Sequence, residues 1–143
     1  MFIWTGFDYL GEPTPYEWPS RSSYFGVVDL AGFPKDAYYF YKSEWTNDTV
    51  LHVFPHWNWE KGDTVDVWAY YNNADEVELF LNDQSLGTKS KSDDKFHVQW
   101  RVPYQPGTLR AVSRRDGEIV ETRKVQTAGE PALLKMKVDR NHI

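Results

Sequence analysis

The 143 residues carry 41% hydrophobic and 17% aromatic side chains, enough to build a core, so wholesale disorder is excluded. A formal net charge of −5, with no basic cluster, argues against nucleic acid or an anionic membrane surface as partner. The absence of cysteine rules out disulfides and thiolate metal sites, and no run approaches the roughly 20 apolar residues of a membrane span.

Taken in order, the chain opens on Phe2-Ile3-Trp4, a short apolar run that reads as the end of a buried strand. The stretch Trp4–Pro15 that follows holds carboxylates at Asp8 and Glu12, glycines at Gly6 and Gly11, and prolines at Pro13 and Pro15. Glycine supplies backbone freedom and proline forbids a regular element, so this is a loop carrying aromatic and acidic side chains. Residues 16–33 continue as extended loop. Pro34 suits a first helical turn, Asp36 suits the positive end of the helix dipole, and Ala37, Tyr38, Tyr41 and Trp45 recur at helical spacing. A helix is predicted over residues 34–45.

Thr46-Asn47-Asp48 is a turn, and beyond it aromatic residues thin out and short β-type runs begin. Strands are predicted at Val50–His56, Thr64–Tyr71, Glu76–Leu81, Ser85–Thr88, Phe96–Val102, Thr108–Arg114 and Glu118–Gln126. Their alternation is plain in Val65, Val67 and Ala69 against Asp66, Trp68 and Tyr70. Asn82-Asp83 and Asp116-Gly117 read as hairpin turns. Seven such strands fit an immunoglobulin-like antiparallel β-sandwich. Residues 127–131 read as a linker, and Leu133–Asp139 alternates like one further strand.

Four places invite chemistry. Trp4 offers an indole face on which the C–H groups of a sugar ring can stack, or it is a core tryptophan at a strand end. Asp8 and Glu12 are a tempting carboxylate pair for glycoside hydrolysis. The breakers around them leave their spacing unfixed, and loop carboxylates commonly cap backbone amides. They read as secondary groups, either orienting a sugar hydroxyl or holding the loop. His52 and His56 would share a strand face and could begin a zinc site, but no third ligand is near and Pro55 distorts the register. Metal binding is therefore not expected, nor is a nucleophilic role for Ser22 or Ser23, which lack a base at recognisable spacing. No phosphate-cradling glycine loop occurs, and Lys89–Lys95 is a solvated mixed-charge loop.

Residues 2–18, then Ser22–Asp36, resemble the last strand, loop and helix of the catalytic barrel in glycoside hydrolase family 2, in its β-galactosidase-like bacterial branch. The likeness continues into the sandwich and covers essentially the whole chain. It implies a fold that is mainly β, an immunoglobulin-like sandwich preceded by the end of a (β/α)8 barrel. Residues 1–46 would be the barrel end, residues 49–128 the sandwich, and residues 129–143 a linker with the first strand of a truncated further domain. The chain is then an internal fragment of a retaining enzyme that cleaves terminal β-linked sugars. The resemblance places both catalytic glutamates outside this sequence, so the fragment alone is expected to be inactive. It assigns Trp4 to the innermost sugar subsite, with Asp8 and Glu12 as further substrate-binding candidates. It implies no cofactor, and as partners a carbohydrate and the remainder of the barrel. A periplasmic or secreted setting is implied by the resemblance alone, which leaves galactoside, glucuronide and mannoside specificity open. The rival expectation is a non-catalytic carbohydrate-binding or spacer sandwich presenting Trp57 and Trp59. Buried indoles would count against binding, and a solvent-facing row would favour it.

Overall fold

A computed structural model of the chain describes residues 2–138. It has one helix, α1 (Asp36–Trp45), followed by β1 (Leu51–Phe54), β2 (Thr64–Tyr71), β3 (Glu76–Leu81), β4 (Gln84–Lys89), β5 (Val98–Pro103), β6 (Thr108–Arg115) and β7 (Glu118–Gln126). Every strand pairing is antiparallel. A three-stranded sheet runs β1-β2-β5 and a four-stranded sheet runs β4-β3-β6-β7, so the chain changes sheet after β2 and again on each side of β5. This is the crossed connectivity of an immunoglobulin-like sandwich.

The alternation in the sequence becomes the core. Val65, Val67, Ala69 and Tyr71 of β2 point inward, as do Val77, Leu79 and Leu81 of β3 and Val98, Trp100 and Val102 of β5. The pairings Val67↔Trp100 and Leu79↔Ala111 keep these residues on the inner faces of their sheets. Trp57, fully buried after β1, closes one end by stacking edge-on against Tyr104 at 5.2 Å and donating its indole N–H to the Gln105 carbonyl at 2.9 Å.

Both predicted hairpin turns form with the backbone they require. Asn82 and Asp83 have φ of 48° and 66°, and Asp116 and Gly117 have 50° and 81°, the left-handed pair that matches strand twist. Strand ends differ from expectation where another contact takes over. β1 stops at Phe54, before Pro55, which has no N–H to give the ladder. β5 starts at Val98 because Phe96 turns to α1, its ring 5.8 Å from that of Phe40.

The helix has two aromatic faces. On one, Tyr39 stacks on His52 at 3.9 Å, Phe40 packs on Tyr70, and Asp36 Oδ1 accepts from His52 Nε2 at 2.7 Å. This face covers the outer side of the three-stranded sheet. On the other face, Tyr38, Tyr41 and Trp45 of the predicted stripe line an open apolar groove with Ile3, Phe7 and Val28.

Two expectations for the chain ends change. Phe2, Ile3 and Trp4 form no strand and are exposed, because residues 2–4 have no ladder partner among the described residues. The nearest pairings among the described residues are isolated bridges, parallel between Phe7 and Val28 and antiparallel between Leu10 and Ser22. Residues 133–138 likewise form no strand and lie open to solvent, and Asp139, the last residue of that predicted element, lies outside the described residues.

Candidate functional site

The loop Trp4–Pro15 is held by the segment that follows it rather than by regular structure. Val28 N–H donates to the Gly6 carbonyl and Asp8 N–H to the Val28 carbonyl, both at 2.9 Å. Gly11 N–H donates to the Arg21 carbonyl at 2.7 Å. Between these points Tyr9 and Ser23 bond reciprocally: Ser23 N–H donates to the Tyr9 carbonyl at 2.8 Å and Tyr9 N–H to Ser23 Oγ at 3.1 Å. Ser23 is fully buried. An isolated serine with no base beside it is thus accounted for as a loop fastener.

Asp8 is the buried member of this network. Its Oδ1 accepts from Gly26 N–H at 2.8 Å and from Lys35 Nζ at 2.9 Å, and its Oδ2 lies 2.7 Å from the same ammonium. The Lys35 hydrogen bond holds the Asp8 carboxyl below the usual carboxylate range, against the opposing effect of burial. Lys35 also donates to the Tyr24 carbonyl at 3.1 Å, so one ammonium ties the loop, the 20s segment and the start of α1 together. Both Asp8 oxygens thus take part in holding the loop.

Glu12 stands differently. It is exposed, and its backbone adopts φ of 47° directly after Gly11 at 95°. A non-glycine residue in the left-handed region is costly and is kept only where the surroundings impose it. The turn delivers Oε2 to the Tyr9 hydroxyl, which donates to it, while Oε1 has no partner among the described residues. That carboxylate raises the Tyr9 phenol above its ordinary value. Tyr9 in turn accepts the Trp4 indole N–H at 3.4 Å. Trp4 is 74% exposed, so it is not the core tryptophan that a buried strand end would give.

The structure thus links Trp4 and Glu12 through Tyr9 and makes Asp8 a buried anchor of the same loop. Sequence reasoning singled out Trp4, Asp8 and Glu12 but missed Tyr9 and Lys35. Tyr9 sits between two of the chosen residues and could have been found by asking what orients them. Lys35 carries no local signal, being 27 residues from its partner.

The two histidines serve separate contacts. His52 bonds to Asp36 and stacks on Tyr39, whereas His56 stacks on Trp59 at 5.0 Å beyond the end of β1. Trp57 is in the core and Trp59 is 39% exposed, so the solvent-facing row of indoles required by the carbohydrate-binding sandwich does not form.

Residues 62–121, from just before β2 into β7, match a family model described as "Domain of unknown function (DUF4982)". Over 141 residues, 99% of its length, the chain is 59% identical to a β-galactosidase of Bacteroides ovatus, of which it spans 17%. It superposes on a β-glycosidase from Bacteroides vulgatus with a TM-score of 0.78 at 43% identity, covering 89% of this chain and 16% of that one. A glycosyl hydrolase family 2 member from Bacteroides cellulosilyticus gives a TM-score of 0.80 at 30% identity, covering 89% and 21%. The chain therefore corresponds to a minor part of the length of these relatives. By sequence along nearly all its residues and by fold, it belongs to glycoside hydrolase family 2.

Proposed function

We propose that the chain is the sugar-platform and accessory-sandwich segment of a retaining glycoside hydrolase, β-galactosidase-like, acting on terminal β-linked sugars. The observation that carries this reading is Trp4, an indole left 74% exposed on a loop whose backbone is otherwise pinned. An exposed aromatic face on a fixed support suits the apolar face of a pyranose ring.

In this reading residues 1–46 close a (β/α)8 barrel, residues 49–128 form the accessory sandwich, and residues 129–143 lead toward a further domain. The outward stripe Tyr38, Tyr41 and Trp45, with the exposed Phe2 and Phe7, supports a barrel neighbour. Exposed Leu133, Leu134 and Met136 support a further packing partner for residues 129–143.

Retention requires one carboxylate to attack the anomeric carbon while a second protonates the departing oxygen, the two lying about 5–5.5 Å apart, before water hydrolyses the glycosyl-enzyme. Asp8 is neutralised by Lys35 and Glu12 is bonded to Tyr9, so neither takes those parts. Both come from the remainder of the barrel, and no cofactor is needed. The test is direct: the purified chain incubated with a nitrophenyl β-galactoside should release nitrophenol no faster than buffer. Protein-dependent release would overturn the assignment of catalysis to residues outside the chain.

A further inference from the structure

The Trp4 platform is only useful if its plane is fixed, and an indole that is 74% exposed gets little of that from packing. What fixes it is polar. Trp4 Nε1–H donates to the Tyr9 hydroxyl, and the Tyr9 O–H is committed to Glu12 Oε2. The phenol is therefore oriented at both ends: its proton points to the carboxylate and its lone pair to the indole. Tyr9 itself cannot drift, because its N–H and C=O are both bonded to buried Ser23 and its neighbour Asp8 is clamped by Lys35 and Gly26. The left-handed turn at Gly11 and Glu12 folds the carboxylate back three residues to reach the phenol. Backbone strain held at such a point, with a side-chain network resting on it, marks a preorganised site.

We propose that Tyr9 is the positioning residue of the sugar platform. Through its single hydroxyl it sets the plane of Trp4 and aims Glu12 Oε1 at a hydroxyl of the pyranose stacked on that indole. This rests on the platform reading of Trp4 given above. Tyr9 touches no substrate; it acts through the two residues that do.

The test compares variants of the complete gene product that carries this segment, with nitrophenyl β-galactoside as the probe. Tyr9→Phe keeps the ring and removes only the hydroxyl, and should raise KM by about tenfold, the scale of one lost hydrogen bond. Glu12→Gln keeps an acceptor for the phenol and should stay closer to the parent than Glu12→Ala. The deciding comparison is Tyr9→Phe placed on Trp4→Ala. If the hydroxyl acts through the indole and Glu12, most of its effect disappears once Trp4 is gone, whereas a general structural role would add in full. Full additivity, or a Tyr9→Phe enzyme equal to the parent beside a defective Trp4→Ala enzyme, overturns the proposal while leaving the platform standing. A Trp4→Ala enzyme equal to the parent overturns the platform and the proposal together. Should Tyr9→Phe fail to fold, Glu12→Ala, at an exposed position, carries the same double-variant comparison.

Discussion

Asp8 and Glu12 lie four residues apart in one loop, yet their surroundings give them opposite uses. Lys35 and the Gly26 amide consume the first, and a positive-φ backbone offers the second to Tyr9. The ion pair has a pH signature. Because the Asp8 carboxyl lies below its ordinary value in the folded loop, its stabilisation is complete above the ordinary aspartate range of about 4 and is lost as pH falls through the lowered value. Protection factors of the Asp8 and Val28 amides should fall in acid in that window, and Asp8→Asn should abolish this acid step. Gly26 is required by space: a Cβ there would sit 2.2 Å from Asp8 N and 2.4 Å from the Phe7 carbonyl carbon. Gly26→Ala should cost the loop about 1–3 kcal/mol, read as lost protection at Asp8 N–H with the sandwich melting unchanged. At this scale the sequence revealed which residue types were out of the ordinary, since Trp4 and Glu12 stand in a breaker-rich loop. It did not reveal Lys35 or Gly26, because their partnership with Asp8 spans 27 and 18 residues and follows no period.

Period and turn chemistry make the strands the most legible elements. β2, β3 and β7 run over the residues their alternation and flanking turns mark out. Legibility fails where a side chain leaves the ladder for a tertiary contact, as Phe96 does in turning to Phe40. The helix shows the same limit. Its stripe Tyr38, Tyr41 and Trp45 was readable, but the face that binds the sandwich, Asp36, Tyr39 and Phe40, is recognisable only once His52 and Tyr70 are seen opposite it. Tyr39→Ala should therefore loosen α1 from the sheet, raising amide exchange across residues 36–45, while Tyr41→Ala should leave that docking unchanged. A second element-level dependence lies between the β3–β4 and β5–β6 turns. Asn82 bonds to both the Pro106 carbonyl and Thr108 N–H, and a Cβ at Gly107, where φ is 138°, would fall 1.8 Å from Asn82 Oδ1. Gly107→Ala should lower the denaturant midpoint without changing the slope.

Across the whole chain, regular structure and burial concentrate in the sandwich, and exposed aromatics concentrate before it. Trp57 anchors the sandwich, and Trp57→Ala should cost about 3–5 kcal/mol, the usual range for a buried large aromatic. Residues 2–33 hold exposed Phe2, Trp4, Phe7, Leu10, Trp18 and Phe33 on a framework of isolated bridges. Limited proteolysis should cut within residues 1–33 before residues 49–126, and equal resistance would mean that the first segment needs no partner to be stable. The sandwich was readable because its information is local and repeated. The site was readable only in part, because an exposed indole is given its plane by hydrogen bonds that composition does not encode.

As a sugar platform, Trp4 is expected to lie beneath the pyranose ring. The measurement that tests it most directly is a crystal structure of the complete gene product with galactonolactone bound. The expected result is the lactone ring parallel to the Trp4 indole at van der Waals separation, about 3.5–4 Å, with Glu12 Oε1 facing one of its hydroxyls. A lactone bound with Trp4 turned away from it, or covered by the protein's own side chains, would show that Trp4 is not the sugar platform.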